Sequence, residues 1–244
     1  VTLVLLVRHG LTAGTGTVLT GRTPGIPLDD RGREQAAALA ARLAVVPLDA
    51  IVTSPLERCR QTADAIAAAR NGHPVAVHTD EQVAEVKYGD WTGKPLKRLA
   101  RDPMWRVVQA HPSAVRFPGT GGESMPDVQH RAVRAIRDWN ARLGPNAVYV
   151  VCSHGDVIKS VIADSLGMHL DMFQRIQVDP CSLTVIRYTP VRPFLLRMND
   201  TGTVSNLARP PAGDRHTPAG GMAPAPSGAR LGDGDAVIGG GAGG

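Results

Sequence analysis

The stretch LVLLVRHGLTAG, residues 3–14, decides the fold. Its first five residues, Leu3 to Val7, are apolar without alternation, the pattern of a strand covered on both faces. The run stops at Arg8 and His9. In an open α/β sheet the carboxyl ends of the parallel strands border the ligand crevice. The triplet Arg8–His9–Gly10 therefore reads either as a strand reaching water or as the edge of a site, and one triplet leaves both open.

The stretch VYVVCSHGD, residues 148–156, repeats the pattern: an apolar strand, one polar residue, then His and Gly. His154 stands where His9 does. In a parallel sheet both strands deliver their carboxyl ends to one edge, so two histidines more than half the chain apart can meet. A third strand, AIVTS (50–54), runs to the same edge and feeds PLERCR (55–60), which puts Arg58 and Arg60 in the first turns of a helix. Helix N-termini favour anions, and the planar, permanently charged guanidinium matches phosphate oxygens. Arg60, two positions along the helix from Arg58, is expected to point elsewhere. A lone histidine would read as a core or surface residue; two at strand ends with convergent arginines read as an anion site.

The remaining chain fits that frame. Further strands are expected at LDAIVTS (48–54), VAVHT (75–79), AVYVVCS (147–153), SLTVIRY (182–188) and FLLRMN (194–199). Helical spacing predicts helices over 31–44, capped by Asp29 or Asp30, and over 55–70 with Pro55 in the first turn. A long amphipathic helix starts at Glu123 or Ser124, and another covers DVIKSVIADSLG (156–167). Strands alternating with helices mean α/β: a three-layer sandwich with a mostly parallel central sheet flanked by helices. The Gly/Thr-rich connection 10–30 is long for a compact domain, and such loops are functional or disordered. Segment 85–113 reads as loop and short helices lying over the strand ends.

Composition bounds the rest. Residues 205–244 are rich in Gly, Pro and Ala and hold no aromatic residue, so they read as a disordered tail behind a domain of residues 1–204. The formal charge is +5, and the tail's Arg209, Arg215 and Arg230 cancel its Asp214, Asp233 and Asp235. The excess belongs to the domain and suits an anionic substrate or a scatter of surface arginines. No basic stripe interleaved with aromatics marks a nucleic-acid binder. Cys59, Cys152 and Cys181 lack the spacing of a zinc site or a disulfide framework. No cluster has metal-ligand spacing, and no cofactor is expected. His73, His78, His111, His130, His169 and His216 read as structural or surface residues. No run is long enough to span a bilayer, and no secretory signal is visible, so no membrane partner and a cytoplasmic setting are expected. With four lysines and abundant Ala, Gly and Arg, the chain reads as the product of a GC-rich bacterial genome.

The blocks LVRHGLT (6–12), LDDRGREQA (28–36), SPLERCRQTA (54–63), EVKYGDWTG (85–93), GGES (121–124) and CSHGDVI (152–158) occur in the order found in a known family. The chain resembles the histidine phosphatase superfamily, with its phosphoglycerate-mutase-like fold, over about residues 3–200. The resemblance implies that His9 is the nucleophile that becomes phosphohistidine. It implies that Arg8, Arg58 and His154 grip the phosphoryl oxygens and that Glu85 is the proton donor. Gly10, Thr15, Thr20, Gly21, Arg22 and Gly155 are the substrate-binding positions it suggests. The chemistry suits those roles, since phosphoryl transfer asks mainly for charge stabilisation and alignment. Nearby arginines keep His9 neutral, and a bound phosphate dianion would raise the Glu85 pKa.

The chain also departs from the pattern. Many members carry Asn where Thr15 stands, and Arg22 either reaches a second anionic group or serves on the surface. The mutases of the family resemble one another in a long insertion after the catalytic Glu, with paired arginines; RDPMWRVVQAHPSAVRFPG (101–119) is shorter and lacks them. A more open pocket admits water, so hydrolysis of a small phosphomonoester without a metal is the expected reaction. A mutase-type phosphotransferase (isomerase) is the alternative, and a non-catalytic phospho-ligand binder a further one. The physiological ester and the oligomeric state are not legible in the sequence.

Overall fold

Strand β1 (Thr2–Arg8) lacks polar alternation because both of its faces are buried. In the computed structural model, which describes residues 1–70, 72 and 74–203, Val4 and Leu6 enter one core and Leu5 and Val7 the other. The same division splits β2 (Ala50–Thr53) and β4 (Val148–Ser153): Val52 and Val151 face one way, Ile51, Val150 and Cys152 the other. Period-two side chains with no solvent face produce the continuous apolar runs seen in the sequence.

Each face has its own helix pair. Helices α1 (Asp30–Leu43) and α2 (Glu57–Ala68) pack together and bury Leu39, Leu43, Ala63 and Ile66 against one side. On the other side α5 (Met125–Leu143) and α6 (Gly155–Ser165) pack together, with Val128, Ile136, Val157 and Val161 in the larger core. Two short helices, α3 (Leu96–Leu99) and α4 (Pro103–Ala110), lie on the segment expected to be irregular. Caps fall where the residues suggest: Asp29 accepts the Gly32 N–H at 2.7 Å, and Ser124 accepts the Asp127 N–H at 3.1 Å.

Six strands form the sheet in the order β3-β2-β4-β1-β5-β6, with β3 at Val77–Thr79, β5 at Leu183–Tyr188 and β6 at Pro193–Asp200. The pairs β1–β4, β2–β4 and β2–β3 are parallel, while β5 and β6 close the sheet antiparallel. Register matches Arg8 with Ser153 and Thr53 with Cys152, so β1, β2 and β4 end side by side. One detail differs from expectation. Helix α2 opens at Glu57 with Leu56 as its cap, so Pro55 stands ahead of the helix rather than in its first turn. There the Ser54 hydroxyl accepts the Leu56 N–H at 3.3 Å, and Leu56 keeps extended backbone.

The long 10–30 connection is stitched to the rest of the chain by backbone bonds: Leu19 N–H to Lys94 C=O, Gly93 N–H to Leu19 C=O and Leu96 N–H to Thr17 C=O. Its root depends on two glycines. A Cβ on Gly10 would lie 2.5 Å from the Gly32 carbonyl oxygen, and one on Gly32 would lie 2.0 Å from that of Leu11. Both obstacles are backbone and cannot swing aside. Gly32→Ala should therefore lower unfolding stability by about 2–3 kcal/mol, seen as a lower denaturant midpoint with an unchanged slope. Residues 205–244, read as a tail, and His73 and His216 lie outside the described residues. No helix among the described residues is long and apolar enough to cross a membrane.

Candidate active site

The ends of β1, β2 and β4 bring His9, Arg58 and His154 together below a cleft of about 390 Å³, counting its open mouth. His9 is 6% exposed and Arg58 1%. The His9 and His154 rings meet edge-on with centroids 5.2 Å apart. His9 Nδ1 lies 2.7 Å from the Gly10 carbonyl, which can only accept, so the ring proton sits on Nδ1. Its Nε2 then carries the lone pair, and Arg58 Nε donates to it at 3.2 Å. Burial, then the Arg58 and Arg8 charges, hold the His9 pKa well below 6.5. His9 is a neutral imidazole with one nitrogen tied and the other facing the cleft.

Arg58 binds the cluster together. Its Nη2 donates to the Gly21 carbonyl at 2.8 Å and to His154 Nδ1 at 3.3 Å, while Nη1 is buried without a protein partner. Because Arg58 has only donors, His154 Nδ1 accepts, and the His154 proton sits on Nε2, 2.8 Å from the Ser54 hydroxyl. Burial and the Arg58 charge depress the His154 pKa as well. Arg8 reaches past the sheet end, where its Nη1 donates to the Val178 carbonyl at 2.7 Å. Arg8 lines the cleft and the buried Arg58 is bonded to His9 beside it, and two guanidiniums so placed make the cleft suited to a dianion.

Glu85 comes from the segment after β3 and is 5% exposed. One oxygen, Oε2, lies 3.5 Å from His154 Nδ1, and the other accepts the Val86 N–H at 3.0 Å. Burial, and after it the Asp156 carboxylate, pushes its pKa up to about 7 against Arg58, the Val86 N–H and Arg8. Burial thus raises the value before any phosphate is bound, a cause that the sequence reading did not include. Arg131 of α5 secures the segment. It donates to the carbonyls of Gln82 at 2.6 Å, Ala84 at 2.8 Å and Glu85 at 3.2 Å, and forks onto both Glu123 oxygens at 2.7 and 3.1 Å. Burial disfavours the Glu123 charge, yet Arg131 and the Lys87 N–H hold its pKa below the ordinary carboxyl value.

The cleft walls include Arg8, His9, Thr15, Thr20, Gly21 and Glu85. Thr15 turns its hydroxyl to the Thr12 N–H at 3.0 Å and to the Thr12 hydroxyl at 2.9 Å, bracing the loop. Three expected substrate contacts, Gly10, Arg22 and Gly155, stand outside the walls. Arg22 donates from Nε to the Glu85 carbonyl at 2.6 Å and pairs with Glu81 at 3.5 Å, so it backs the Glu85 segment. Gly155 is the buried first residue of α6. Gly10 supplies the carbonyl under His9 and donates its N–H to the Thr62 hydroxyl at 3.2 Å. Arg60 is exposed and points away, as its place on the helix implies. Reading residues one by one missed Ser54, Tyr88, Arg131 and Asp156. Only the quoted blocks that hold Ser54, Tyr88 and Asp156 could have flagged them; Arg131 gave no signal. Among the described residues no group of three or more His, Cys, Asp and Glu is arranged to hold a metal ion.

The family model of the histidine phosphatase superfamily (branch 1) matches residues 4–201. The chain belongs to this superfamily. Among curated histidine phosphatase relatives, phosphoserine phosphatase 1 of Hydrogenobacter thermophilus is 30% identical over 204 residues, covering 81% of this chain and 92% of the relative. A probable phosphoglycerate mutase of Cronobacter sakazakii is 29% identical over 216 residues, covering 85% and 95%. Among solved structures, an H9A mutant of the Entamoeba histolytica phosphoserine phosphatase bound to phosphoserine superposes with a TM-score of 0.72 at 27% identity. It covers 82% of this chain and 98% of that one. This protein is therefore a histidine phosphatase family enzyme of the phosphatase or mutase kind, with the superfamily's six-stranded sheet flanked by helices.

Proposed function

We propose that this enzyme hydrolyses a small phosphomonoester without a metal, through a phosphohistidine on His9. The observation that carries the reading is the pairing of His9, its Nδ1 tied to the Gly10 carbonyl and its Nε2 lone pair held by Arg58, with the buried Glu85 carboxyl, which lies beside His154 and has its pKa pushed up to about 7. A phosphoryl group entering the cleft takes N–H groups of Arg58 that now rest on His9, and so frees the lone pair. Nε2 attacks phosphorus, the P–O ester bond breaks, and Glu85 gives its proton to the departing oxygen. Arg8 and Arg58 surround the transferring oxygens and offset their growing charge, while the neutral His154, bonded to Arg58 and Ser54, holds the Arg58 guanidinium in place. In the second half, the Glu85 carboxylate takes a proton from water as that water attacks the phosphohistidine. Inorganic phosphate leaves and His9 is restored.

The mutase reading keeps the same first half and returns the phosphoryl group to the bound product; the mutase-named relative favours it. Phosphate release from phosphoserine, 3-phosphoglycerate and p-nitrophenyl phosphate, measured with EDTA present, separates the two. Hydrolysis predicts release from at least one ester. A mutase predicts no net release and conversion of 3-phosphoglycerate to 2-phosphoglycerate that depends on 2,3-bisphosphoglycerate.

A pH dependence follows from Glu85. Its acid form donates the proton, so kcat/KM should be flat below pH 6 and fall tenfold per unit above about 7, where Glu85 ionises. His9, held well below 6.5, stays a competent base across that range. A profile flat from pH 6 to 9 would contradict the role given to Glu85.

A further inference from the structure

Beside Glu85 stands a buried pair that the reaction does not itself use, and one member of it, Tyr88, lines the cleft with His9 and Glu85. Tyr88 is fully buried, with its ring against Phe117, and Asp156 sits in the first turn of α6 at 1% exposure. The Tyr88 hydroxyl lies 2.7 Å from Asp156 Oδ2 and 3.5 Å from Glu85 Oε1. A phenol has one proton. At 2.7 Å that proton goes to Asp156, and the oxygen then shows lone pairs to Glu85. A lone pair repels a carboxylate oxygen and accepts from a carboxylic acid.

The other Glu85 oxygen meets a similar face, since His154 Nδ1 is an acceptor turned toward Arg58. We propose that Asp156, acting through the Tyr88 hydroxyl, is a positioning residue that keeps the Glu85 carboxyl in its acid form. Asp156 stands in the first turn of α6, and its charge acts on the buried Lys159 and Arg8 as well as on Glu85. Arg8 from β1 and Tyr88 line the cleft beside Glu85, and Arg58 from α2, His154 at the end of β4 and Asp156 from α6 are buried around it. Arg22 and Arg131 reach only its backbone carbonyl. The arginines favour the carboxylate. Asp156 and Tyr88 oppose them.

The inference rests on Glu85 being the proton donor, and the experiment keeps the two ideas apart. The kcat/KM profile from pH 5 to 9 is measured for wild type, Asp156→Asn, Tyr88→Phe, the double variant and Glu85→Gln. In parallel, the Glu85 carboxyl is titrated by ¹³C NMR in Glu-labelled protein, with Glu85→Gln assigning the signal. Asp156→Asn should leave kcat/KM unchanged at pH 5 and lower it about tenfold above pH 8, with the carboxyl titration moving down by about one unit. In the Tyr88→Phe background the same substitution should move both readouts less than half as far.

Unshifted profiles and titrations in Asp156→Asn would overturn the proposal. An equal shift with and without the hydroxyl would overturn the part given to Tyr88. An alkaline limb that persists in Glu85→Gln would overturn the donor role instead, and the NMR titration would still decide what Asp156 does. Should Asp156→Asn fail to fold, Asp156→Ser, with room for a water, carries the same test.

Discussion

His9→Ala should remove turnover almost completely, on the order of 10⁴–10⁶-fold in kcat, because the covalent route loses its nucleophile. No neighbouring group can stand in. His154 is the nearest imidazole, but its Nδ1 lone pair is engaged by Arg58 and its Nε2–H by Ser54. The variant should still bind phosphate esters, since Arg8 and Arg58 remain and the rest of the buried floor is untouched. A Kd within a few-fold of the wild-type value, with kcat gone, is the expected pattern. Labelling with a ³²P ester and quenching in base, where phosphohistidine survives, should give a labelled band in the wild type and none in the variant. Label retained by His9→Ala, or phosphate release equal to the wild type, would sink the proposed mechanism.

Arg58→Lys should be the second most damaging change, lowering kcat/KM by about 10²–10³-fold. The substitution keeps the charge and discards the geometry. Arg58 uses Nε for His9 and Nη2 for His154 and the Gly21 carbonyl, and its Nη1 is buried without a protein partner. An ammonium is a point donor and cannot serve these directions at once. Losing the N–H to Gly21 also loosens the loop that forms the cleft wall, so KM should rise together with the fall in kcat. If Arg58→Lys retained more than a tenth of wild-type kcat/KM, the directional role would be wrong and charge alone would suffice. Stability need not follow activity, because a buried arginine is expensive to hold in place and its removal can be close to neutral for folding.

How far the sequence carried these assignments depended on the distance over which each signal acts. Strand ends are local: apolar runs of five or six residues cut off by Arg8–His9 and Ser153–His154 announce both the sheet and its reactive edge. The parallel order then brings the two histidines together without further information. Arg58 was legible because a helix start is local too. Contacts made across the fold were not. Asp156 and Tyr88 meet over 68 positions, and nothing near either residue marks the other.

Arg22, for which the sequence left open a second anionic group or a surface role, donates to the Glu85 carbonyl and pairs with Glu81, contacts that no stretch near it announces. The part that burial plays in the Glu85 shift was not legible for the same reason. Burial depends on every element that covers a residue, and no short stretch of sequence reports it. Pro55 missed its helical turn by two residues because the Ser54 hydroxyl, an interaction not apparent from propensity, keeps the chain extended there.

The strand order has a consequence for how this protein comes into being. Strand β4 lies between β1 and β2, so the two segments made first have no hydrogen-bonded contact within the sheet until a third, which begins only at Val148, slides between them. A chain growing from its N-terminus holds His9 and Arg58 early but cannot set them against each other. Closing such long loops before any reward in pairing makes for slow, late-cooperative folding. Chemistry at His9 therefore arrives all at once, when the strand that ends in His154 is inserted, and fragments that stop short of it should be inert.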